Sequence, residues 1–217
     1  FVLFICASTL ADASDDGAYP SRVYWGDTHV HTYLSADAYS LGTRVTPDTA
    51  YRFARGDKVT ADNGQRVQLN RPLDFLMVAD HAENLGLWAG IFAGDSIKLN
   101  ADGEAWKQVM TKNHASLGDL VAASSKEEAD LVQAKFNRSK GNWKKDYLDD
   151  EPFRHSVWQK VIAVADKYND PGKFTAFIGY EWTADPMIHR NILFADDASR
   201  TSQEMPMTKN ASGDPED

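Results

Sequence analysis

The segment GDTHVHTYLSAD, residues 26–37, carries the pattern on which the fold and the chemistry of this chain depend. Its two histidines, His29 and His31, stand two residues apart beside an apolar run. Side chains alternate across a strand, so both imidazoles are expected on one face of an extended segment. Acidic residues, Asp27 and Asp37, flank the pair. The combination favours a metal site if the rest of the chain supplies further ligands; two half-exposed loop histidines are the alternative.

Composition indicates an ordinary globular protein. The chain has 217 residues, of which 42% are hydrophobic and 25% charged, enough for one substantial domain with its own core. The net charge of −9 argues against a nucleic-acid partner, which requires a basic face. Cys6 is the only cysteine, so disulfides and thiolate metal sites are not expected.

Both ends of the chain carry signals of processing or truncation. Residues 1–13, FVLFICASTLADA, are similar to part of a secretory signal peptide and too short to span a bilayer, which predicts a periplasmic or secreted protein without an integral membrane segment. A buried first strand is the alternative for this run. Asp214 and Pro215 begin a helix signal near the last residue, which predicts a cut at the C-terminal end.

Strand and helix patterns alternate along the chain, which predicts an α/β fold with a largely parallel sheet. The helical segments are expected over TPDTAYRFARG, capped by Thr46 and closed by Gly56, and over most of 101–168, where Phe153, Val157, Val161 and Val164 recur at helical spacing. Asn63-Gly64 predicts a hairpin with a type I′ turn, and residues 169–172 a further turn.

Metal-competent side chains are expected where three apolar strands end. The predicted strands are SRVYWGD ending at Asp27, LDFLMVA followed by Asp80, His81 and Glu83, and KFTAFIGYEWT ending at Glu181, with a fourth opening at His189. The carboxyl ends of such strands are where α/β active sites gather. Glu181 lies between two aromatic residues and requires a charged partner when buried.

The nitrogen and oxygen donors of this set suit Zn²⁺, Mn²⁺ or Fe²⁺. His114 and His155 fall in predicted helices away from strand ends and are expected to be surface or packing residues. The sequence contains neither the G-x-S-x-G motif of serine hydrolases nor a glycine-rich phosphate loop.

Several motifs together resemble those of a known superfamily. GDTHVHT followed by SAD, then ADH at a strand end, is similar to the opening motifs of the PHP (polymerase and histidinol phosphatase) superfamily. Three further segments resemble the branch catalogued as domain of unknown function 3604: GTRVTPDTAYRFARG, RPLDFLMVADHAENLG, and GYEWT followed by HRNILF.

The resemblance implies a distorted seven-stranded, TIM-like β/α barrel with up to three divalent metal ions at its C-terminal face. It implies six metal ligands or close neighbours: His29, His31, Asp37, His81, Glu181 as a bridging acid, and His189. Asp27 and Asp80 are expected to orient the imidazoles, with Asp80 counted among the catalytic residues. The superfamily also uses a later histidine and an Asp-x-His motif, and no histidine follows His189. Residues 22–217 are therefore expected to be the N-terminal part of a metallohydrolase domain whose C-terminal strands are missing.

The function implied is metal-dependent hydrolysis, of a phosphoester in the first instance, by metal-activated water. Arg44 and Arg190 flank the motifs and are expected to bind an anionic small-molecule substrate, with an ordinary ion pair as the alternative for each. Two other readings stay open: hydrolysis of C–N or C–O bonds as in amidohydrolase-like barrels, and a metal-stabilised binding domain without catalysis. Oligomeric state does not follow from the sequence.

Overall fold

The computed structural model describes residues 22–113, 119, 122–139, 146–184 and 188–208. In this part of the chain the helices are α1 Ala36–Leu41, α2 Pro47–Ala54, α3 Leu87–Ala93, α4 Ala101–Lys112, α5 Lys126–Ser139, α6 Glu151–Tyr168 and α7 Ala198–Thr201. The strands are β1 Gly26–Val30, β2 Val59–Thr60, β3 Arg66–Val67, β4 Phe75–Val78, β5 Thr175–Phe177, β6 Gly179–Ala184 and β7 Ile188–Leu193. The signal-like segment 1–13, His114 and the helix signal at Asp214 lie outside the described residues.

A parallel sheet of three strands, in the order β1-β4-β5, forms the centre of the fold. β4 lies in the middle and is largely buried, as its apolar sequence predicts. The α/β class and the parallel pairing are therefore confirmed. Among the described strands the sheet is open at β1 and β5, with two separate antiparallel pairs, β2-β3 and β6-β7, so no closed barrel is formed there.

The first strand begins later than the sequence predicts. The sequence predicts this strand over SRVYWGD, ending at Asp27, but β1 starts at Gly26 and runs through Val30. Pairing starts with Gly26 opposite Phe75, the first residue of β4, and the register shifts between Asp27 and Val30. The strand begins where its neighbour begins, so Asp27 and His29 lie inside β1 and His31 directly follows it.

The predicted strand KFTAFIGYEWT is divided in two. β5 pairs in parallel with β4, whereas β6, beyond Ile178, pairs in antiparallel fashion with β7. Glu181 thus lies inside a strand rather than at the end of one. Glu181 is still connected to the parallel sheet. An isolated β-bridge joins it to His81, in the same register that pairs Phe75 with Thr175.

Helices α2 and α6 cover the sheet and supply much of its core. Thr46 caps α2 by accepting a hydrogen bond from the Thr49 N–H (3.2 Å), as predicted. On α6, Val157 and Val161 are buried, with Trp158 fully enclosed beside them. His155 lies on the exposed side of α6, in agreement with its predicted surface position. A second apolar cluster joins α1, α3 and α4 through Tyr39, Trp88, Trp106 and Tyr147.

The predicted hairpin forms between β2 and β3, but its turn is not of type I′. That turn requires positive φ at both central residues. Gly64 has a φ of 82°, whereas Asn63 is not among the described residues with positive φ. The Gly64 N–H instead donates to the Ala61 carbonyl oxygen (2.8 Å), which closes a longer loop.

In the part of the chain that the structure describes, no helix is both long enough and apolar enough to cross a membrane.

Gly26 allows β1 to approach β4, which predicts a large effect of substitution there. A Cβ atom at Gly26 would overlap the carbonyl oxygen and ring of Phe75. We expect Gly26→Ala to lower the free energy of unfolding by about 1–3 kcal/mol, the usual cost of overpacking. Gly64→Ala is the comparison, because its Cβ would meet no atom and only the left-handed backbone would be strained, at about 1 kcal/mol. Urea unfolding measures both; a loss at Gly26 smaller than that at Gly64 would contradict the packing argument.

Candidate metal centre

The structure brings the six predicted ligands together at one end of the parallel sheet. His29 and His31 come from β1 and the residue after it, and His81 from the segment after β4. Glu181 and His189 come from the β6-β7 pair. The common parallel register explains this convergence, since it carries His81 alongside Glu181.

The carboxylate of Glu181 lies at the centre of the cluster. Its Oε2 is 3.0 Å from His29 Nε2 and 2.7 Å from His31 Nε2. Its Oε1 is 2.6 Å from Nδ1 of His189. A fourth imidazole nitrogen, His81 Nε2, lies 3.6 Å from Oε2. Glu181 itself is 1% exposed. The two oxygens thus face different histidines, as a carboxylate shared between two cations would.

Asp37 is the second carboxylate of the cluster. Its Oδ1 lies 3.2 Å from His31 Nδ1, and its Oδ2 lies 3.6 Å from His81 Nε2. The hydroxyl of Ser35 donates to Asp37 Oδ1 at 2.6 Å. Asp37 holds this position because α1 begins at Ala36, directly after the turn that follows the histidine pair.

Three overlapping groups of these residues have the composition and spacing of metal sites. They are His29, His31 and Glu181; His31, Asp37 and His81; and His81, Glu181 and His189, with the ligand atoms of each within 4.8 Å of one another. All donors are imidazole nitrogens or carboxylate oxygens, which fits Zn²⁺, Mn²⁺ or Fe²⁺. His31 Nε2 adds a further observation: it is buried and faces the Glu181 carboxylate, with Oε2 2.7 Å away. Once deprotonated, a buried nitrogen directed at an ionised carboxylate is suited to share a cation with it.

The charges of the cluster are strongly coupled. Burial lowers the pKa of His31, but the Asp37 and Glu181 carboxylates outweigh burial and raise it to about 10. Burial also opposes ionisation of Glu181, yet His31, His81 and His29 lower its pKa to about 2. The pKa of Asp37 is held well below its usual range by His31 and His81, against the effect of burial. The acids are thus ionised at neutral pH and attract positive charge.

One side of the cluster is open to solvent. The side chain of His29 is 52% exposed and that of His189 is 29% exposed, whereas those of Glu181 and His81 are 2% and 6% exposed. Buried residues therefore anchor the centre, and exposed ones border its open side.

The chain matches, over residues 18–217, the family described as Protein of unknown function (DUF3604). The chain belongs to this family. No curated protein and no solved structure matches the chain. All six clustered residues lie within the matched region.

Asp27 and Asp80 do not orient imidazoles in the way the sequence predicts. Asp80 is buried, and its two oxygens accept hydrogen bonds from the backbone N–H and the hydroxyl of Thr32, the latter at 2.7 Å. Burial raises the pKa of Asp80 to about 6, although the Thr32 bonds oppose this shift. Asp27 Oδ1 accepts from the His29 backbone N–H at 2.8 Å. Both acids therefore hold the backbone that carries the histidines.

Arg44 and Arg190, predicted to bind an anionic substrate, contact carbonyl oxygens and aromatic rings of the protein itself. The Arg44 guanidinium donates to the carbonyl oxygens of Tyr39 (2.8 Å) and Thr43 (2.7 Å) and lies 3.6 Å above the Tyr39 ring centroid. Arg190 pairs with Trp182 across β6 and β7, and its guanidinium lies 5.2 Å from that ring centroid. Alternation places Arg190 on the face opposite His189. Substrate binding by either arginine stays a prediction that these contacts do not favour.

Two residues of the site were missed from the sequence. Ser35 contacts His31 Nδ1 (3.0 Å) as well as Asp37, and Thr183 Oγ1 lies 3.0 Å from His81 Nδ1. Thr183 could have been found by strand alternation, because it stands two residues after Glu181 and shares its face. Ser35 carried no such signal, since its contact depends on the turn.

Asp80→Asn tests whether Asp80 acts through the Thr32 backbone. The amide offers one acceptor oxygen in place of two, and its NH₂ group would face a Thr32 donor, so we expect a loss of about 1–3 kcal/mol in the free energy of unfolding. Asp27→Asn is the matched control at an exposed site, with an expected loss below about 0.5 kcal/mol. Thermal and urea unfolding of both variants measure the difference; equal losses would contradict this role.

Metal affinity of this DUF3604 member should rise with pH. The pKa of His31 is raised to about 10 in the metal-free protein, so its imidazole is protonated below that pH and must lose the proton to bind a cation. With one proton released, zinc affinity is expected to rise about tenfold per pH unit. Competition titrations with a chelator between pH 6 and 8 measure the slope, after correction for the chelator's own protonation. A slope of zero would contradict proton displacement.

Proposed function

We propose that this chain carries the metal centre of a divalent-metal-dependent hydrolase related to the PHP superfamily, with a phosphoester as its substrate. The observation that carries the proposal is the buried Glu181 carboxylate, with imidazole nitrogens of His29, His31 and His189 within about 3 Å and that of His81 slightly farther away. An ionised group so deeply buried requires compensating charge. A cation held by several imidazoles would provide it.

Each residue of the cluster has a distinct part in holding such a centre. Glu181 would be shared between cations on the His29 side and the His189 side, since its two oxygens face these residues separately. Asp37 would complete the group that contains His31 and His81. A bound divalent ion supplies two things there: it lowers the pKa of water and polarises an oxygen of the substrate.

The open side of the cluster supports catalysis over a purely structural site. Structural zinc sites are closed four-coordinate sites made of protein ligands, whereas catalytic sites keep a position for water or substrate. The exposed His29 and His189 leave such access, with the anchoring Glu181 and His81 buried beneath. We therefore expect substrate to approach from the side bordered by His29 and His189.

The choice of a phosphoester and of the barrel rests on the resemblance to the PHP superfamily. The motifs that carry this resemblance supply all six clustered residues. The described three-stranded sheet has the parallel strand pairing of a β/α barrel and unpaired edges at β1 and β5. We therefore propose that β1, β4 and β5 form one section of such a barrel.

Metal analysis of a double variant tests the proposed centre. His29→Ala/His31→Ala removes two of the four imidazoles while leaving Glu181 in place, so we expect bound Zn, Mn or Fe to fall from near stoichiometric to a small fraction. Hydrolysis of an aryl phosphate should fall at least about a hundredfold with it. The matched control is His155→Ala, because His155 is an exposed histidine on α6 outside the cluster.

The possible outcomes separate the competing functions. Metal that remains bound in the double variant, or is absent from the unaltered protein, would contradict a metal centre at these residues. Metal that binds and is lost as expected, without phosphatase activity, would contradict the phosphoester assignment. Aryl ester and amide substrates, assayed in parallel, then identify hydrolysis of C–O or C–N bonds, and inactivity on all of them indicates a binding domain.

A further inference from the structure

The two nitrogens of the His81 imidazole face different environments. Nε2 points toward the metal centre, where Asp37 Oδ2 and Glu181 Oε2 each lie 3.6 Å away. Nδ1 points the other way and lies 3.0 Å from Thr183 Oγ1. A neutral imidazole has one protonated and one unprotonated nitrogen, and only the unprotonated one can bind a cation. The contact at Nδ1 therefore bears on what Nε2 can do.

Glu83 lies behind Thr183 and is buried, with 2% of its surface exposed. Its Oε1 accepts a hydrogen bond from the Thr183 backbone N–H at 3.3 Å. Its Oε2 lies 3.9 Å from His81 Nδ1 and makes no hydrogen bond with any described residue. Glu83 thus holds the strand residue that contacts His81 and directs an acceptor oxygen toward the same imidazole nitrogen.

We propose that Thr183 and Glu83 are positioning residues that keep the proton of His81 on Nδ1 and leave Nε2 free for the metal centre. In this arrangement Nδ1–H donates to Thr183 Oγ1, and Glu83 fixes Thr183 through its backbone. The proposal rests on the proposed metal centre and adds two residues that do not themselves contact the cation.

The contacts of Nδ1 disfavour the opposite arrangement. If Thr183 donated its hydroxyl proton to Nδ1, the proton of the neutral ring would lie on Nε2 and block its lone pair. The Nδ1 lone pair would then face the unpaired Glu83 Oε2 at 3.9 Å, an acceptor facing an acceptor in a buried place. Carboxylates or other acceptors commonly fix metal-binding histidines through the nitrogen that does not bind the metal.

Zinc affinity of three threonine variants tests the role of the hydroxyl. Thr183→Val removes the acceptor at nearly constant shape, and we expect zinc to bind about 10–100-fold more weakly. Thr183→Ser keeps the hydroxyl and should restore affinity to within about threefold of the unaltered protein. Thr201→Val is the control, because Thr201 is a buried threonine on α7 outside the cluster. The zinc affinity of this variant should equal that of the unaltered protein. Glu83→Gln, which keeps an acceptor for the Thr183 N–H, should weaken zinc binding about tenfold or more by removing the carboxylate charge.

Nitrogen NMR of histidine-labelled protein reads the proton position directly. We expect a proton on His81 Nδ1 in both the metal-free and the zinc-loaded protein, assigned by its loss in His81→Gln, with faster solvent exchange in Thr183→Val. An unprotonated Nδ1 in the zinc-loaded protein would overturn the proposal, and so would unchanged zinc affinity in a folded Thr183→Val variant. If the unaltered protein binds no zinc, the proposed metal centre is wrong, and the spectrum of the metal-free protein still tests the Thr183 contact. An Nδ1 proton that exchanges slowly with solvent and depends on Thr183 supports this contact. An unprotonated Nδ1 overturns it.

Discussion

The burial of the Glu181 carboxylate is the constraint on which the rest of the site depends. An ionised carboxylate removed from water is costly unless positive charge lies next to it. The His31 imidazole supplies positive charge in the metal-free protein, because the Asp37 and Glu181 carboxylates raise its pKa while the neighbouring histidines lower that of Glu181. A divalent cation would serve the same electrostatic need with the protons released. A protonated imidazole and a bound cation would therefore be alternative ways to neutralise the same buried charge.

Backbone pairing places that charge among its partners. β4 lies between β1 and β5, and its register with β5 continues across a break to the bridge between His81 and Glu181. The Asp80 carboxylate fixes the segment next to the histidine pair, because it accepts two hydrogen bonds from Thr32, the residue after His31. The histidine pair is thus held by a buried carboxylate on the neighbouring segment. Asp27 and Asp80, the acids next to the cluster, thus contact the backbone that carries the histidines.

Sequence patterns predicted some features of this protein well and others poorly. Strand alternation and helix capping are local properties, so β4, α2, α6 and the β2-β3 hairpin could be identified from residue spacing. The start of β1 and the break between β5 and β6 could not, because each depends on where a distant partner strand begins or turns away. The partners of Arg44 and Asp80 were missed for the same reason: a side chain with several available acceptors or donors binds the one that tertiary packing brings nearest.

The sequence by itself determined the α/β class, the family and the set of nitrogen and oxygen donors, since residue types and their order along the chain suffice for these. Only the tertiary structure decided which donors meet, that Glu181 lies between the imidazoles, and that Thr183 and Glu83 stand behind His81. The physical reason is that a cluster formed from segments about 50 and 150 residues apart depends on strand register and burial. These properties arise from the packing of the whole sheet and are not contained in any one segment.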